Sequence, residues 1–266
     1  MSTPLRTGLS RAVGWFSDRR IPTALRPLVY RSYARLTGAD LDEAVGPLQI
    51  YPSLGAFFVR RLRPGARPLP EDLGLLPSPA DGRLQALDRI ANDSLLQAKG
   101  QAYSPAELLG GLATPEQLEG AWAWTIYLSP RDYHRVHAPC RAELRDLRWL
   151  GHSRWSVAPK VVAKRPRLYL ENERVALELA VGDERLWLVL VGAVNVGRLR
   201  VVGVPQGGPA NARRDPVFER GDELGRFEMG STVVLIASPG LAQPAPGLEL
   251  GQPLRLGQPI GRFETP

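Results

Sequence analysis

Three segments that lie far apart in the chain carry side chains suited to proton transfer and acyl chemistry. They are residues 78–82 (Ser-Pro-Ala-Asp-Gly), 127–139 (Tyr-Leu-Ser-Pro-Arg-Asp-Tyr-His-Arg-Val-His-Ala-Pro) and 227–232 (Phe-Glu-Met-Gly-Ser-Thr). Together they supply an acid, two histidines and a serine hydroxyl beside a glycyl carbonyl. A histidine oriented by a carboxylate can activate a serine hydroxyl for attack on an acyl carbon. The segments therefore indicate a nucleophilic serine, provided that the fold brings them together.

The serine of the third segment is Ser231, and it follows Gly230 directly. Glycine has no side chain to shield its carbonyl. An activated Ser231 hydroxyl has two courses: attack on the acyl group of another molecule, or attack on the carbonyl of Gly230. The second course replaces the peptide bond by an ester, from which elimination and hydrolysis leave a pyruvoyl group. The spacing of the residues leaves both courses open.

The second segment contains His134 and His137, two of only three histidines in the chain. Residues 129–133 before them favour a turn or one helical turn, in which the two imidazoles lie close together. Imidazole suits acid–base work near neutral pH. Two alternatives stay open: a structural, hydrogen-bonded pair, and a metal site whose third ligand would be Asp81 or His152. The spacing of neither residue is typical of a metal site.

Composition limits the class of protein. The chain has 266 residues, of which 44% are hydrophobic and 23% charged, so a sizeable core can form. Its 27 glycines and 25 prolines favour turns and short strands over long helices. Cys140 is the only cysteine, which excludes an intrachain disulfide and a Cys-rich metal site. There is no run of 18 apolar residues and no secretory signal pattern, so we expect a protein of the cytoplasm.

Positive charge is concentrated towards the N-terminus. Residues 1–67 contain 11 arginines and 4 acidic residues, a net charge of +7, which equals the net charge of the whole chain. This asymmetry predicts an anionic partner, a membrane surface or a nucleic acid, although a merely solvated basic face would also produce it. No recognisable nucleic-acid-binding motif accompanies the charge. The apolar spacing of Leu9, Ala12, Val13 and Phe16 predicts an amphipathic helix that can lie in a bilayer interface.

Further short helices are expected in the N-terminal segment. One begins near Pro27 and stops at Gly38, and one follows a capping-box pattern at residues 40–43. A further helix is capped by Ser53, carries Leu62 and ends at Pro64. From about residue 75 the apolar period changes to that of strands. The predicted strands are 82–90, 122–128, 142–150, 174–181, 185–196, 199–204 and 232–237, with short helices at 104–109 and 114–118.

These elements predict an α+β protein with two parts. Residues 1–64 would form a basic, helical, membrane-associating segment. Residues 65–266 would form a catalytic domain built as a mainly antiparallel β sandwich or barrel. Within that domain, residues 205–217 are rich in glycine, proline, asparagine and arginine, and they predict a loop that could cover a site.

Taken together, the three motifs closely resemble bacterial phosphatidylserine decarboxylase. Further similarity lies in residues 57–64 (Phe-Phe-Val-Arg-Arg-Leu-Arg-Pro), 172–175 (Asn-Glu-Arg-Val) and 191–197 (Val-Gly-Ala-Val-Asn-Val-Gly), and the resemblance extends over nearly the full chain. Two positions depart from the family pattern: Met229 stands where leucine is usual, and Ala80 stands where valine is common. Neither departure removes a functional group.

The resemblance implies a chain that cleaves itself. Ser231 would attack the carbonyl of Gly230, giving a large β subunit of residues 1–230 and a small α subunit of residues 231–266. The N-terminus of the small subunit would be a pyruvoyl group formed from Ser231, and this group is the covalently bound cofactor. Asp81 and His137 match the family's acid and base that activate the serine. His134 matches the histidine of the decarboxylation step, where it would place a proton on the substrate Cα.

The implied chemistry is a pyruvoyl-dependent carboxy-lyase reaction without a metal. The ketone forms a Schiff base with the amine of phosphatidylserine, and loss of CO₂ gives phosphatidylethanolamine. Pyridoxal phosphate, the usual alternative, needs a Schiff-base lysine, and Lys99, Lys160 and Lys164 lie in no motif for it. The expected partners are an anionic phospholipid surface on the cytoplasmic side of the cell membrane, bound peripherally, and the two subunits of one precursor. A homodimer is a further candidate assembly, and no nucleic acid is expected.

Three rival functions predict different behaviour. A pyruvoyl enzyme for a soluble amino acid would be active without lipid, but it leaves the basic amphipathic segment unexplained. A Ser-His-Asp hydrolase would keep its chain intact and respond to hydroxyl-directed inhibitors. A non-enzymatic lipid- or nucleic-acid-binding module would show no cleavage, and replacement of His134 or His137 would then affect stability alone.

Overall fold

The computed structural model describes residue 17 and residues 19–98, 101–193, 199–228 and 231–264. The helix predicted around residues 9–16 lies outside these residues, as does Gly230. The described chain combines short helices with mostly antiparallel sheets, which confirms the α+β class expected from the sequence.

Two helices of the N-terminal segment begin where the sequence predicts. The first also ends as predicted, whereas the second, which was expected to carry Leu62 and to run to Pro64, ends at Phe58. Helix α1, Arg26–Thr37, has a proline in its first turn and ends at Gly38, whose φ of 81° is the left-handed conformation that glycine adopts readily. Helix α2, Leu54–Phe58, begins after Ser53, whose hydroxyl accepts a hydrogen bond from the amide of Ala56 at 3.1 Å. Each helix is fixed by a residue at its end, since neither is long enough to be stable alone.

The helix expected after residues 40–43 is wrong. Asp40 Oδ1 accepts a hydrogen bond from the amide of Asp42 at 2.8 Å, which closes a turn, and Ala44 then forms an isolated antiparallel bridge with Leu62. An aspartate that can cap a helix can equally well close an Asx turn, and here the turn forms.

Four further helices are short and lie between strands. They are α3 (Pro105–Leu109), α4 (Pro115–Leu118), α5 (Pro159–Val162) and α6 (Leu168–Glu171). The first two were predicted, and their caps explain why: Ser104 caps α3, and Thr114 forms a capping box with Gln117 in α4. Helices α5 and α6 have no side-chain cap, so the sequence carried no clear signal for them.

The described strands number sixteen, and the longer ones match the predicted ranges closely. They are β1 (Leu75–Pro77), β2 (Gly82–Arg89), β3 (Leu95–Ala98), β4 (Gln101–Tyr103), β5 (Trp122–Leu128), β6 (Arg135–His137), β7 (Ala142–Leu150), β8 (Arg174–Val181), β9 (Glu184–Gly192), β10 (Leu199–Val201), β11 (Val217–Phe218), β12 (Glu223–Phe227), β13 (Ser231–Ala237), β14 (Ala242–Pro244), β15 (Pro253–Leu254) and β16 (Pro259–Phe263).

The largest sheet has eight strands in the order β11-β7-β8-β9-β13-β5-β2-β15. It is not a closed barrel. Of the two architectures expected from the sequence, a sandwich or a barrel, the closed barrel is therefore wrong. Two three-stranded sheets accompany it, ordered β1-β16-β14 and β10-β12-β6. The site depends on both the large sheet and the β10-β12-β6 sheet, because β13 carries Ser231 and β6 carries His137.

Strand β13 is buried on both faces. Val233 and Leu235 belong to one apolar cluster, whereas Val234 and Ile236 belong to another on the opposite face. Alternate residues of a strand point to opposite faces, so a strand covered on both sides needs a continuous apolar run, which residues 233–236 supply.

The N-terminal segment has its own small aromatic core. Tyr30, Tyr51 and Phe57 are buried together with Ala44, and the rings of Tyr30 and Phe57 stack with centroids 4.8 Å apart. The segment also docks on the rest of the chain, because the Tyr33 hydroxyl donates a hydrogen bond to the carbonyl of Pro130. Helix α1 is therefore attached to the segment that carries the two histidines.

Candidate functional site

Ser231 is the first residue of β13 and is fully buried. Its backbone lies between Leu128 of β5 and Gly192 of β9. A hydroxyl held this deeply needs a hydrogen-bond partner inside the protein, since water does not reach it.

His134 supplies that partner. Its Nδ1 lies 3.2 Å from Ser231 Oγ, and its Nε2 lies 3.0 Å from the carbonyl oxygen of Ser129. A carbonyl can only accept, so Nε2 must carry the ring proton. Nδ1 then has a free lone pair, and the Ser231 hydroxyl donates to it. The geometry thus places the hydrogen-bond-accepting nitrogen of a neutral imidazole on the nucleophile candidate.

The surroundings of His134 keep it neutral. The ring is fully buried and stacks on Phe58, with centroids 3.8 Å apart. Burial, reinforced by the positive charge of Arg60, lowers the pKa of His134 to about 3. A group with such a pKa can orient a hydroxyl, but it holds a proton only weakly at neutral pH.

The loop before His134 fixes the orientation of its ring. Asp132 Oδ2 accepts hydrogen bonds from both the amide and the hydroxyl of Ser129, each at 2.7 Å. This closes a turn and aims the Ser129 carbonyl at His134. On the other side, the Arg135 guanidinium donates to the carbonyl of Val59 at 3.0 and 2.7 Å. The histidine segment is therefore held by its own turn and by the chain that follows α2.

His137 lies in β6 and makes different contacts. Its Nδ1 donates to the Gly221 carbonyl at 2.8 Å, so its Nε2 is the acceptor for the Tyr133 hydroxyl at 3.1 Å. Burial raises the pKa of Tyr133 to about 12, which keeps that hydroxyl protonated, and burial lowers the pKa of His137. Tyr133 and His137 both line a cavity of about 320 Å³, together with Arg67.

Asp81 is held by charge and by backbone. Arg67 Nε and Nη2 donate to its carboxylate at 2.8 and 2.6 Å, and the Leu256 amide donates at 2.8 Å. The next residue must be glycine: Gly82 has a φ of 155°, and a Cβ there would lie 2.5 Å from the carbonyl oxygen of Tyr127. Asp81 thereby connects the segment before the large sheet to the C-terminal strands.

The structure brings some of the predicted site residues into contact with one another and leaves others without a shared hydrogen bond. His134 contacts Ser231 directly. Asp81 and His137 belong to adjacent segments, since the His137 amide donates to the Pro79 carbonyl at 2.9 Å, but their side chains share no hydrogen bond. Neither side chain is hydrogen-bonded to Ser231.

Several residues at the site were not singled out from the sequence: Phe58, Arg60, Arg67, Ser129, Asp132 and Tyr133. Five of them belong to segments that the sequence had marked, either residues 57–64 or residues 127–139. The signal was thus present, but a stacking partner or a buried ion pair depends on contacts between segments far apart in the chain. Arg67 had no such signal.

Comparison with known proteins places the chain in a family. A family model described as phosphatidylserine decarboxylase matches residues 54–262, a span that includes every site residue described above. The phosphatidylserine decarboxylase proenzyme of Halorhodospira halophila is 43% identical over 269 residues, which cover 97% of this chain and 91% of the relative. That of Alkalilimnicola ehrlichii is 39% identical over 264 residues, covering 95% and 90%. That of Anaeromyxobacter sp. is 38% identical over 266 residues, covering 96% and 94%.

The site belongs to the class with a candidate nucleophilic serine. The serine is buried at the start of the central strand of an open antiparallel sheet, and a neutral histidine lies beside it. With the extent of these matches, the chain belongs to the phosphatidylserine decarboxylase family.

Proposed function

We propose that this chain is a phosphatidylserine decarboxylase made as a proenzyme, which cleaves itself between Gly230 and Ser231. The observation that carries the proposal is the hydrogen bond from the Ser231 hydroxyl to His134, in a site closed to water. An intermolecular hydrolase needs a nucleophile that its substrate can reach. A fully buried serine is suited instead to attack on the peptide bond that precedes it.

Cleavage exchanges bonds within the chain. Ser231 Oγ forms a bond to the carbonyl carbon of Gly230, and the amide bond between the two residues breaks to leave an ester. Elimination releases Gly230 with a carboxylate terminus and leaves dehydroalanine at position 231. Its imine tautomer then adds water and loses the nitrogen as ammonia, which leaves a pyruvoyl group. We assign the proton transfers to His137 and Asp81, as the family resemblance implies, and the orientation of the hydroxyl to His134.

The residues around position 231 fit a pyruvoyl group. The hydroxyl from which it forms is buried, and the neighbouring imidazole is neutral. When formed, the group supplies an electron sink for decarboxylation of a bound amine. His134 lies beside the atom from which the ketone forms, and we assign it the proton transfer to the substrate Cα, as the family resemblance implies. Its Nδ1 would first have to take up that proton, because in the neutral ring only Nε2 carries one.

The proposed membrane surface is the exposed face of helix α1. Leu25, Leu28 and Leu36 are 50, 63 and 87% exposed, and Ile50 nearby is 53% exposed. Residues 25, 28 and 36 fall on one side of a helix, opposite buried Tyr30. The exposed Arg31 and Arg35 flank this apolar face.

We propose that residues 1–64 associate peripherally with anionic phospholipid at the cytoplasmic side of the cell membrane, and that residues 65–266 form the catalytic part. In the described part of the chain, no helix is long and apolar enough to cross a membrane. Arginines near an anionic surface contribute about 1 kcal/mol each, and apolar side chains add shallow insertion.

The membrane proposal is tested by vesicle flotation of a triple Leu25→Gln, Leu28→Gln, Leu36→Gln variant. We expect weaker retention on vesicles that contain phosphatidylserine, with self-cleavage unchanged. The matched control is a Leu73→Gln, Leu250→Gln variant, since these leucines are 75 and 64% exposed elsewhere on the chain. Equal retention of the triple variant and the wild type at low salt would contradict the assignment.

A further inference from the structure

Arg60 is a buried charge that forms no ion pair with the described residues. The residue comes shortly after helix α2 in the chain and is 3% exposed. One terminal nitrogen, Nη2, donates to the carbonyl of Arg131 at 3.3 Å, and the guanidinium lies 5.0 Å from the centroid of the Phe57 ring. Within the described residues, Nε and Nη1 have no hydrogen-bond partner. Burial lowers the pKa of Arg60, because keeping this charge away from water is costly.

The carboxylates near Arg60 are already bound by other groups. Glu43 and Asp81 are both paired with Arg67, at 2.8 and 2.6 Å. Asp132 closes the Ser129 turn. A buried arginine whose neighbouring acids are all engaged has two nitrogens, Nε and Nη1, whose N–H groups can donate to an anion that is not part of this chain.

The position of Arg60 connects a cavity to the reacting residue. It lines a cavity of about 310 Å³ together with Arg131, Tyr133 and Asp81. On its other side, Phe58 stacks on His134, and the charge of Arg60 is close enough to lower the pKa of that histidine. Arg60 thus belongs both to this cavity and to the surroundings of His134, and a ligand that binds Arg60 would reach Ser231 past Phe58 and His134.

We propose that Arg60 binds the phosphodiester of the aminophospholipid head group and so positions the substrate for reaction at residue 231. This inference rests on the proposed function. Phosphatidylserine offers two anions, a carboxylate and a phosphodiester. An arginine on the carboxylate would stabilise the charge that decarboxylation removes, and would favour the ground state over the transition state. The phosphodiester keeps its charge throughout the reaction, and its oxygens match the forked donors of a guanidinium.

The test compares soluble amines as inhibitors of the mature enzyme acting on phosphatidylserine in mixed micelles. Glycerophosphoethanolamine carries an amine and a phosphodiester, ethanolamine carries the amine alone, and serine carries an amine and a carboxylate. We expect the wild type to bind glycerophosphoethanolamine about tenfold or more tightly than ethanolamine, the effect expected of a charge-assisted hydrogen bond. Arg60→Met should abolish this preference and leave the inhibition constant of ethanolamine unchanged.

Two further variants complete the design. Arg60→Lys keeps the charge but loses the forked donors of the guanidinium. Its preference for glycerophosphoethanolamine over ethanolamine should lie between those of the wild type and Arg60→Met. Arg89→Met is the control. It removes an exposed arginine of the large sheet that donates to the Gly120 carbonyl, and this variant should show the wild-type preference for glycerophosphoethanolamine. If Arg60→Met fails to cleave or fold, the comparison is between Arg60→Lys and the wild type. A weaker preference for glycerophosphoethanolamine in Arg60→Lys then supports the proposal.

The proposal is overturned if wild type binds the two amines equally, or if the preference survives in the Arg60 variants. It is also overturned if the variants weaken inhibition by serine alone, since the ligand would then be the carboxylate. Failure of the proposed function looks different: wild-type protein would then lack a borohydride-reducible terminus at position 231, whatever its affinity for phosphodiesters.

Discussion

The Nδ1 atom of His134 lies 3.2 Å from the Oγ atom of Ser231, although 97 residues separate them in the chain. The contact joins a turn at the edge of β6 to the first residue of the central strand β13. Its direction follows from the Ser129 carbonyl, which binds the opposite nitrogen of the ring and fixes the tautomer. The buried hydroxyl and its acceptor are therefore preorganised before any substrate arrives.

Replacement of the two histidines should separate the two chemical steps. His137→Ala and Asp81→Asn should slow or block self-cleavage, because they remove the groups assigned to proton transfer. His134→Ala should still cleave, more slowly, and should then fail to decarboxylate, since a pKa of about 3 makes His134 a weak base for cleavage. Cleavage is followed by denaturing gel electrophoresis and decarboxylation by release of CO₂. A His134→Ala protein with full activity would contradict its assignment.

Loss of the Asp81 carboxylate should also destabilise the fold. The side chains of Arg67 and Asp81 are 9 and 8% exposed, and removing one partner of a buried ion pair typically costs about 3–5 kcal/mol. The comparison is Glu219→Gln, which breaks the Arg141–Glu219 pair at side chains 69 and 64% exposed and should cost less than about 1 kcal/mol. Urea unfolding of both variants in a Ser231→Ala background, where the chain stays in one piece, measures the difference. Equal losses of unfolding free energy would show that burial adds nothing to the contribution of the pair.

Acid should destabilise the protein through His134. Its pKa is about 3 in the folded chain and near 6.5 when unfolded, so between these values the unfolded chain binds more protons. The stabilisation is complete above pH 6.5 and is lost as pH falls towards 3, at up to about 1.4 kcal/mol per pH unit from this group. In a Ser231→Ala background, which keeps the chain in one piece and the ring buried, adding His134→Asn should flatten the slope of unfolding free energy against pH. Identical slopes would mean that His134 is not held neutral by burial.

The two fragments should stay together after cleavage. Strand β13 pairs with β5 on one side and β9 on the other over its whole length, and both of its faces are buried. The small fragment would thus remain in the centre of the large sheet. Gel filtration without denaturant should give one species that contains both fragments, which separate in urea. Two separate species without denaturant would show that the sheet does not survive cleavage.

Much of the fold could be predicted from local signals. Strands β5, β7 and β8 were predicted to the residue, because their apolar patterns are bounded by clear breaks. Strand β10, of three residues, lies within the predicted range 199–204. Other strands of two or three residues, such as β6 and β11, were not predicted, since their formation depends on pairing with distant segments. The expected helix after Asp40 failed because the same side chain can cap a helix or close a turn.

The site could be predicted as a set of residues but not as an arrangement. The motifs named Ser231, both histidines and Asp81. Which histidine contacts the serine depends on the Asp132–Ser129 turn and on the Phe58 ring that stacks against His134. Nothing in local spacing indicates that Arg60 is buried and forms no ion pair within the described part of the chain, because that follows from Arg67 taking the nearby carboxylates.

The folded chain is proposed to break the bond before Ser231 and to leave a ketone there. Intact-mass spectrometry of freshly purified protein, with and without borohydride, detects both events. We expect two fragments corresponding to residues 1–230 and 231–266, with the smaller one gaining two hydrogens on reduction, and a single intact chain for Ser231→Ala. Wild-type protein that decarboxylates phosphatidylserine while remaining one uncleaved chain would contradict this proposal.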